Sequence, residues 1–472
     1  MLIALIDDGI FTGVCNDLRL EYDLIVEDDG TIRPRSSDEH ILTNHGTTCA
    51  QIIHKYAPSA SFCSLSIFHK PKLKTSIHKL LAALQWCKEH HVPVVHMSIG
   101  TTCPCDYRPI QNVIFSILRQ GQIIVAAHSN QMDRYTVPAC CTGVLGVATD
   151  PELQESAFYI ADTADSWGVQ IFASARHDLS EYPNGCKETS ISNSYAAPTI
   201  TAKVHEIATS MDSTFLSSYA IYQELAGRRI QITRMFPDFL IEAMVFDSGN
   251  CIKQHDCASF NIKGQYSNTI AFLDAIQKDR KTPIILLPSP CITPDFIDAV
   301  CNCSIERIGV VYVGAAPEYL RMKIPCALWD ENICQSFYKR MKLELIDPGI
   351  VIIRVEPQGE GALHLLSRLK IYLNENGYSC IAISDFAGAY LHGLEYLPEG
   401  CSLKEVLSYL CYIQRPDIAL YSVQNDAGTI HGSRMIKLDN RHAGTHSEDV
   451  VVLPSTPTDE DIQKFLSILI EE

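Results

Sequence analysis

Residues 2–10 read LIALIDDGI, five apolar residues followed directly by two aspartates and a glycine. A continuous apolar run of this length predicts a strand that is buried on both faces, as in a parallel sheet. The run stops at Asp7-Asp8-Gly9, so the predicted strand carries two carboxylates at its C-terminal end. In open α/β sheets this is the edge at which functional residues collect.

Apolar runs alternate with helical patterns through residue 149, and a further long helix is predicted over 194–210. Asp29-Gly30 predicts a hairpin turn between two apolar segments. The other strands are predicted at 59–68, 92–100, 122–130 and 142–149, and the helices from 45 to 55, 75 to 91 and 110 to 121. This order predicts a parallel sheet with helices on both faces.

The rest of the chain divides into a less regular and a regular part. Residues 211–265 are expected to be a connecting region with some β structure, from the segments RRIQITR and IEAMVFD. From residue 266 strand and helix patterns alternate again, which predicts a C-terminal α/β accessory domain over 266–472. The first domain is then residues 1–210.

A glycine-containing loop, Gln358-Gly359-Glu360-Gly361, lies between a predicted strand and helix of that second domain. A phosphate-binding loop needs Gly-Lys-Ser/Thr at its end, and this one continues as Ala362-Leu363. Glu356 and Glu360 would also repel phosphate. The domain is therefore expected to have a Rossmann-like or degenerate P-loop-like fold that lacks nucleotide chemistry.

The 472 residues are 46% hydrophobic and 20% charged, with a formal net charge of −17. An ordinary globular composition with this acidic balance makes nucleic acid and anionic membranes poor partners. The N-terminus lacks the pattern of a signal peptide, and no apolar run is long enough to cross a bilayer. The 19 cysteines are an odd, irregular set, which favours free thiols in a reducing cytoplasm. The oligomeric state stays open.

Four fragments of the first 205 residues form an ordered set: Ile6-Asp7-Asp8-Gly9, His45-Gly46-Thr47, Ala126-Ala127-His128-Ser129-Asn130 and Asn193-Ser194-Tyr195-Ala196-Ala197-Pro198. With these fragments in this order, the chain resembles the subtilisin-like serine peptidases, the subtilase family, over about residues 1–205. The resemblance implies a subtilisin-like parallel sheet with helices on both faces.

By this resemblance Asp7 is the orienting carboxylate, His45 the general base and acid, and Ser194 the nucleophile. A serine hydroxyl needs a neighbouring base, and a carboxylate on the other imidazole nitrogen fixes the tautomer of that base. Asn130 matches the side-chain donor of the oxyanion hole. Ser98, Ile99 and Gly100 match the strand that pairs with an extended peptide substrate. Neither a metal nor a cofactor is expected.

Three positions depart from the family pattern: Asn193 before the nucleophile, Ser129 before Asn130, and Thr48 in place of a second histidine. The departures at Asn193 and Ser129 motivate the alternative of a catalytically impaired pseudoprotease that binds peptides. A nucleotide-dependent enzyme built on the C-terminal half is a further, less favoured class. Pro198 is expected in the first helical turn, where its missing N–H is tolerated.

The leading hypothesis is a serine endopeptidase that cleaves extended peptides and removes the leader of a ribosomally made precursor peptide. It rests on the expected cytoplasmic location and on the predicted absence of a propeptide before residue 2. Cys103, Cys105, Cys140 and Cys141 are interpreted as thiols rather than metal ligands, because their spacing is not a standard ligand pattern. Cys49 is interpreted as a packing residue, and the segment His442–His446 as a solvated loop.

Overall fold

The computed structural model describes residues 1–472 except for 12–17, 37–38, 40–42, 69–74, 132–133, 163, 165–167, 183–184, 212–214, 253–259, 340–348, 357–359, 425–433, 439–449, 454–457, 459, 462 and 464–472. The described residues form three β-sheets, each flanked by helices.

The first sheet is built from nine described strands, with the strand from the LIALID segment near its centre. Their spatial order is β3 (Ile32–Pro34), β2 (Arg19–Val26), β4 (Ser61–Ser66), β1 (Leu2–Asp7), β5 (Val94–Met97), β6 (Ile123–Ala127), β7 (Leu145–Thr149), β9 (Ile171–Ala173) and β8 (Phe158–Ile160). The pairs β2–β3 and β8–β9 are antiparallel. All other neighbours are parallel.

Helices cover both faces of this sheet, which is why β1 is apolar at successive positions. Ile3 and Leu5 face one apolar cluster, and Ala4 and Ile6 face the other. The first cluster includes residues of α1 (His45–Tyr56), α4 (Asn193–Ser210) and α5 (Ser218–Ala226). The second includes residues of α2 (Ile77–Glu89) and α3 (Tyr107–Leu118). The parallel α/β architecture predicted for this part is confirmed.

Two further sheets follow, and both are parallel throughout. The second has the order β11 (Asn261–Tyr266), β10 (Glu242–Phe246), β12 (Ile284–Leu286), β13 (Gly309–Tyr312), β14 (Ala327–Trp329), with helices α6 (Thr269–Lys278), α7 (Pro294–Asn302), α8 (Glu318–Lys323) and α9 (Glu331–Tyr338). The third has the order β17 (Glu395–Tyr396), β16 (Cys380–Ser384), β18 (Ile418–Ser422), β15 (Val351–Glu356), β19 (Arg434–Leu438), β20 (Val450–Leu453), with helices α10 (Glu360–Glu375) and α11 (Leu403–Gln414).

The predicted connecting region, 211–265, contains β10 and most of β11, both of which pair within the second sheet. The segment RRIQITR (228–234), in contrast, is not a strand. The Gln170 side chain takes the place of a neighbouring strand there: it accepts from the Thr233 N–H (3.0 Å) and donates to the Gln231 carbonyl (3.1 Å). The division of the chain at residues 210 and 266 stays a prediction.

The sheets pack against one another through buried aromatic and backbone groups. Trp329 donates to the Met235 carbonyl (2.9 Å), and its ring lies 4.3 Å from that of Tyr390. The Tyr135 N–H donates to the Ile413 carbonyl at 3.0 Å, which joins the first and third parts of the chain. Within the described residues, no helix combines the length and the hydropathy needed to span a bilayer.

Arg234, 3% exposed, is a buried cation that ties the segment after α5 to the first sheet. Its guanidinium donates to the Val144 carbonyl (3.2 Å) and the Tyr222 hydroxyl (3.1 Å), among other groups. We expect Arg234→Met to lower the free energy of unfolding by about 3 kcal/mol, because it leaves buried acceptors without donors. Urea denaturation measures this change.

Arg228→Met is the matched control, because Arg228 is half exposed and pairs with the exposed Asp162. Its effect should stay within about 1 kcal/mol. Equal stabilities of the two variants would contradict the role given to Arg234.

Candidate functional site

Two buried carboxylates lie at the carboxyl end of β1. Asp7 and Asp8 are each 2% exposed, and the Asp7 carboxylate accepts a hydrogen bond from the Asp8 N–H at 2.8 Å. Since β5 and β6 run parallel to β1, the segments after them begin at the same edge of the sheet. The sequence places Ser98–Gly100 and Asn130 in those segments.

His45 begins α1 and is paired with Asp7. Its Nδ1 lies 2.9 Å from both carboxylate oxygens of Asp7. The close approach of α1 to β1 requires a glycine at position 46, because a Cβ there would lie 2.5 Å from the Gly9 carbonyl oxygen. The structure therefore brings together the predicted acid and imidazole.

Asp8 fixes the start of α1, a role that the sequence analysis missed. One of its oxygens accepts from the Gly46 N–H at 2.8 Å, and the other accepts from the Thr43 N–H at 2.9 Å. The Thr43 hydroxyl also donates to Asp8 and in turn accepts from the His45 N–H at 3.2 Å. The doubled aspartate in Asp7-Asp8 was the available signal: a second carboxylate beside a helix start can satisfy its free N–H groups.

Burial and charge act in opposite directions on His45. Burial lowers its pKa, but the hydrogen bond and charge of Asp7 and the charge of Asp8 raise it more, so the pKa lies above the ordinary value of 6.5. The pKa of Asp8 is raised by its burial and by the charge of Asp7, against the hydrogen bonds from Thr43 and Gly46. The ring of Tyr195 lies 5.4 Å from that of His45.

Ser194 is the second residue of α4, and its carbonyl group lacks the donor four residues on that a helix normally supplies. Pro198 occupies the position whose N–H would donate to this carbonyl, and proline has none. The Ser98 hydroxyl (3.0 Å) and the Cys49 thiol (3.6 Å) donate to it instead. Pro198 is thus the sixth residue of α4, and the expectation that it lies in the first turn was wrong.

Asn193 and Asn130 connect the start of α4 to the ends of two strands. The Asn193 N–H donates to the Asn130 side-chain oxygen at 2.9 Å, which directs the Asn130 NH₂ group away from this bond. The Asn193 side chain, which is buried, donates to the Ser129 carbonyl (2.8 Å) and accepts from the Thr149 N–H (2.7 Å). Asn193, which departs from the family pattern, therefore connects the start of α4 to Ser129, Asn130 and Thr149.

His96 is a second residue that the sequence analysis missed. It is fully buried in β5, where its ring nitrogens lie 2.7 Å from the Thr201 hydroxyl and 3.0 Å from the Ser98 hydroxyl. Burial lowers the pKa of His96 to about 4, so the imidazole is neutral near pH 7. A histidine inside an apolar strand was its only sequence signal.

Ser98, Ile99 and Gly100 follow β5 outside the sheet. Their segment ends at Thr101, which exchanges two backbone hydrogen bonds with Val137 (2.8 and 2.9 Å). A Cβ at Gly100 would lie 2.9 Å from the Val137 carbonyl oxygen and from the Thr136 methyl group. The glycine thus permits the close approach of residues 136–137.

The structure as described gives no hydrogen bond between the Ser194 hydroxyl and His45. The two residues are connected through Cys49, whose sulfur bonds the Ser194 carbonyl and lies within 4.8 Å of the Asp7 and His45 ligand atoms. In unliganded hydrolases the bond between nucleophile and base is often long and tightens only when substrate binds.

Asp7, His45 and Cys49 are the only group of three among the described residues whose ligand atoms are close enough for one metal ion. Burial raises the pKa of Cys49 well above its ordinary value, which keeps the thiol protonated and makes it a poor ligand. The Cys103 and Cys105 sulfurs lie 2.9 Å apart at the surface, and Cys140 and Cys141 are buried.

Two segments interpreted from sequence lie outside what the structure describes. These are the loop at Gln358-Gly359 and the segment His442–His446. For Glu360 and Gly361 the backbone is described, and it begins α10.

Comparison with known proteins gives a family and a fold. The model of the subtilase family matches residues 1–225. No curated protein matches the chain. Among the solved structures with a similar fold is a psychrophilic protease, with 18% identity and a TM-score of 0.39 over 48% of this chain and 82% of that one. The epidermin leader peptide processing serine protease from Staphylococcus aureus has 17% identity and a TM-score of 0.34 over 43% of this chain and 64% of that one. A lanthipeptide protease has 14% identity and a TM-score of 0.35 over 48% of this chain and 75% of that one.

These similarities in structure are weak, and at such values they leave substrate and mechanism open. The family match covers a definite range of the sequence and includes each of the four fragments that suggested the resemblance. Over residues 1–225 the chain matches the subtilase family.

Proposed function

We propose that the protein is a serine endopeptidase in which Asp7, His45 and Ser194 form the catalytic triad. The observation that carries the proposal is the position of His45 Nδ1, 2.9 Å from both oxygens of the buried Asp7 carboxylate. A carboxylate held there fixes the imidazole tautomer, so that Nε2 is the nitrogen that accepts a proton.

In the proposed reaction His45 Nε2 takes the proton of the Ser194 hydroxyl as its oxygen attacks the substrate carbonyl carbon. Asp7 stabilises the imidazolium that forms, without itself becoming protonated. His45 then returns the proton to the leaving amine, which breaks the peptide bond and leaves an acyl group on Ser194. Water, activated by His45 in the same way, releases the acid and restores the serine.

The negative oxygen of the tetrahedral intermediate is proposed to lie between the Asn130 side chain and the first turn of α4. The first N–H groups of a helix have no partners inside it, and they favour a negative charge. Asn130 supports this assignment, because its oxygen is held by the Asn193 N–H and its NH₂ group is the part that can donate.

The proposed substrate is an extended segment of a precursor peptide, from which the protein removes a leader. The segment would pair as an added strand with Ser98–Gly100, which lies outside the sheet. Support for a dedicated protease comes from the chain itself, since most of the residues after the family match pack onto the peptidase part as two further sheets.

A pseudoprotease is the second candidate, favoured by one observation: the Ser194 hydroxyl makes no hydrogen bond to His45 in the described structure. Such a protein would bind peptides at the same edge without turnover. We propose a reducing cytoplasm for either form, because no disulfide bond joins the cysteines that the structure describes. Recovery of the protein from the medium or an oxidising compartment would contradict that location.

Ser194→Ala is expected to abolish both peptide cleavage and covalent labelling by a fluorophosphonate, because the labelling reagent needs an activated serine oxygen. Gel fluorescence and mass spectrometry of the labelled peptide measure the effect. Ser192→Ala is the matched control, since Ser192 precedes the helix and its side chain makes no capping hydrogen bond. An unlabelled parent protein, or a labelled Ser194→Ala variant, would argue for the pseudoprotease or for another nucleophile.

Asn130→Ala is expected to lower kcat by about 10²–10³-fold with little change in KM, because the lost donor acts mainly in the transition state. That magnitude is the one known for the corresponding loss in subtilisin. Steady-state kinetics on a cleaved peptide measure it, with Asn302→Ala at the exposed end of α7 as the control. A change confined to KM would rule out the oxyanion role.

In the pH profile of kcat/KM, the midpoint of the acid limb is expected above pH 6.5. The reason is that the pKa of His45 is raised and that the protonated imidazole cannot accept a proton. Activity should therefore fall as the pH drops through the His45 pKa. Asp8→Asn removes a charge that raises this pKa, so the limb should move to lower pH. Asp29→Asn, at the exposed hairpin, should leave the limb in place, and a limb unmoved in Asp8→Asn would refute this explanation.

A further inference from the structure

A cavity of about 440 Å³ lies between the peptidase part and the third sheet. Residues from the start of α3, from the segment 236–240 and from α10 and α11 line it, and Asp7, His45 and Ser194 do not. Its volume is in the range of ligand sites, roughly 300–1,000 Å³, and such sites often lie between domains.

The wall of this cavity follows directly, along the chain, on Ser98–Gly100, the segment proposed to pair with the substrate and called here the proposed substrate edge. Pro104 and Tyr107, which line it, follow Ser98–Gly100 by only a few residues. The Tyr107 hydroxyl donates to the Thr102 carbonyl (3.2 Å) or the Tyr135 carbonyl (3.0 Å), which holds the end of that edge against the cavity. The proposed substrate edge and the cavity lining are therefore consecutive along the chain.

The charged side chains of the lining are satisfied by the protein itself. Lys370 pairs with Glu395 at 2.8 Å. Arg108 donates through both terminal nitrogens to the Leu240 carbonyl at 3.2 Å. Asp238 accepts from the Thr142 N–H at 3.1 Å. With two positive and two negative side chains the lining carries no net charge, and their hydrogen bonds are made within the protein, so the cavity does not select a ligand by its charge.

Rings and carboxamides make up the selective part of the lining. Tyr107, Tyr135 and Phe236 form a continuous aromatic wall, with successive ring centroids 5.5 Å apart. Gln111 and Gln414 add side-chain amides, each of which can both donate and accept. A peptide group carries one N–H and one carbonyl, so it needs both a hydrogen-bond acceptor and a donor beside it. The aromatic rings favour contact with a large apolar side chain.

We propose that this cavity is a second binding site for the substrate peptide. It takes an uncharged segment that bears an aromatic or large aliphatic side chain, about six or more residues from the cleaved bond. This inference rests on the proposed peptidase function and gives the C-terminal sheets a part in substrate choice. Cleavage then requires two matches in one peptide, one at the triad and one in the cavity.

The test is cleavage of a proteome-derived peptide library by the full-length chain, read by mass spectrometry. Cleaved peptides should be enriched in uncharged segments with an aromatic or large aliphatic residue at positions beyond about six from the bond. Ile371→Trp should remove this distant enrichment and keep the preferences next to the bond. Ile371 lines the cavity and is 42% exposed, so a larger side chain is tolerated there and fills the entrance.

Kinetics on one enriched peptide and on its truncated form separate binding from chemistry. Ile371→Trp should raise KM for the long peptide about tenfold or more, with kcat unchanged and no effect on the truncated form. Gln111→Leu, which removes an amide with little change in size, should also raise KM for the long peptide. Ile270→Trp, on an exposed site of α6, is the matched control and should behave as the parent protein.

The two proposals fail in different ways. Cleavage without any distant preference, or with the same preference in Ile371→Trp, overturns the cavity assignment and leaves the peptidase function intact. If the parent protein cleaves no peptide and takes no fluorophosphonate label, the peptidase function fails, and the second site fails with it.

Discussion

The carbonyl group of Ser194 connects three parts of the peptidase fold. The usual helical donor four residues on is missing, because Pro198 lacks an N–H, and the Ser98 hydroxyl and Cys49 thiol bond this carbonyl. Ser98 belongs to the segment after β5, and Cys49 lies one turn after His45 on α1. An interior proline normally weakens a helix. Here the two side-chain bonds that replace the missing one link Ser194 to α1 and to the segment after β5, so a local defect in one helix helps to hold these three parts together.

The sequence was sufficient for the parts of the site that local patterns determine. The apolar run before Asp7 predicted a buried parallel strand, and α1 begins at His45 as the pattern of the helix indicated. The contributions of Asp8, His96 and Asn193 were not predictable in this way, since each depends on a partner that is 35 to 105 residues away in the chain. Each of them satisfies buried backbone or hydroxyl groups that become neighbours only in the folded protein.

In the C-terminal half, too, sequence patterns identified the elements but not which of them become neighbours in the fold. Alternating apolar runs predicted parallel α/β structure there, and both later sheets are parallel. The pattern did not reveal that β10 and β11 join β12 in one sheet while β15–β20 form another, because periodicity identifies a strand and not its neighbours. Buried contacts such as that between Trp329 and Tyr390 then unite the later sheets in one continuous apolar region with part of the first.

The central place of β1 in its sheet has a consequence for biosynthesis. Ile3 pairs with Phe62 on one side and with Val94 on the other, about 60 and 90 residues later. At a translation rate of roughly 5–20 residues per second, this apolar strand waits for several seconds on the ribosome before either neighbour exists. A nascent segment of this kind is prone to aggregate, so the yield of folded protein should depend on chaperones that shield it and on the pace at which the following segments emerge.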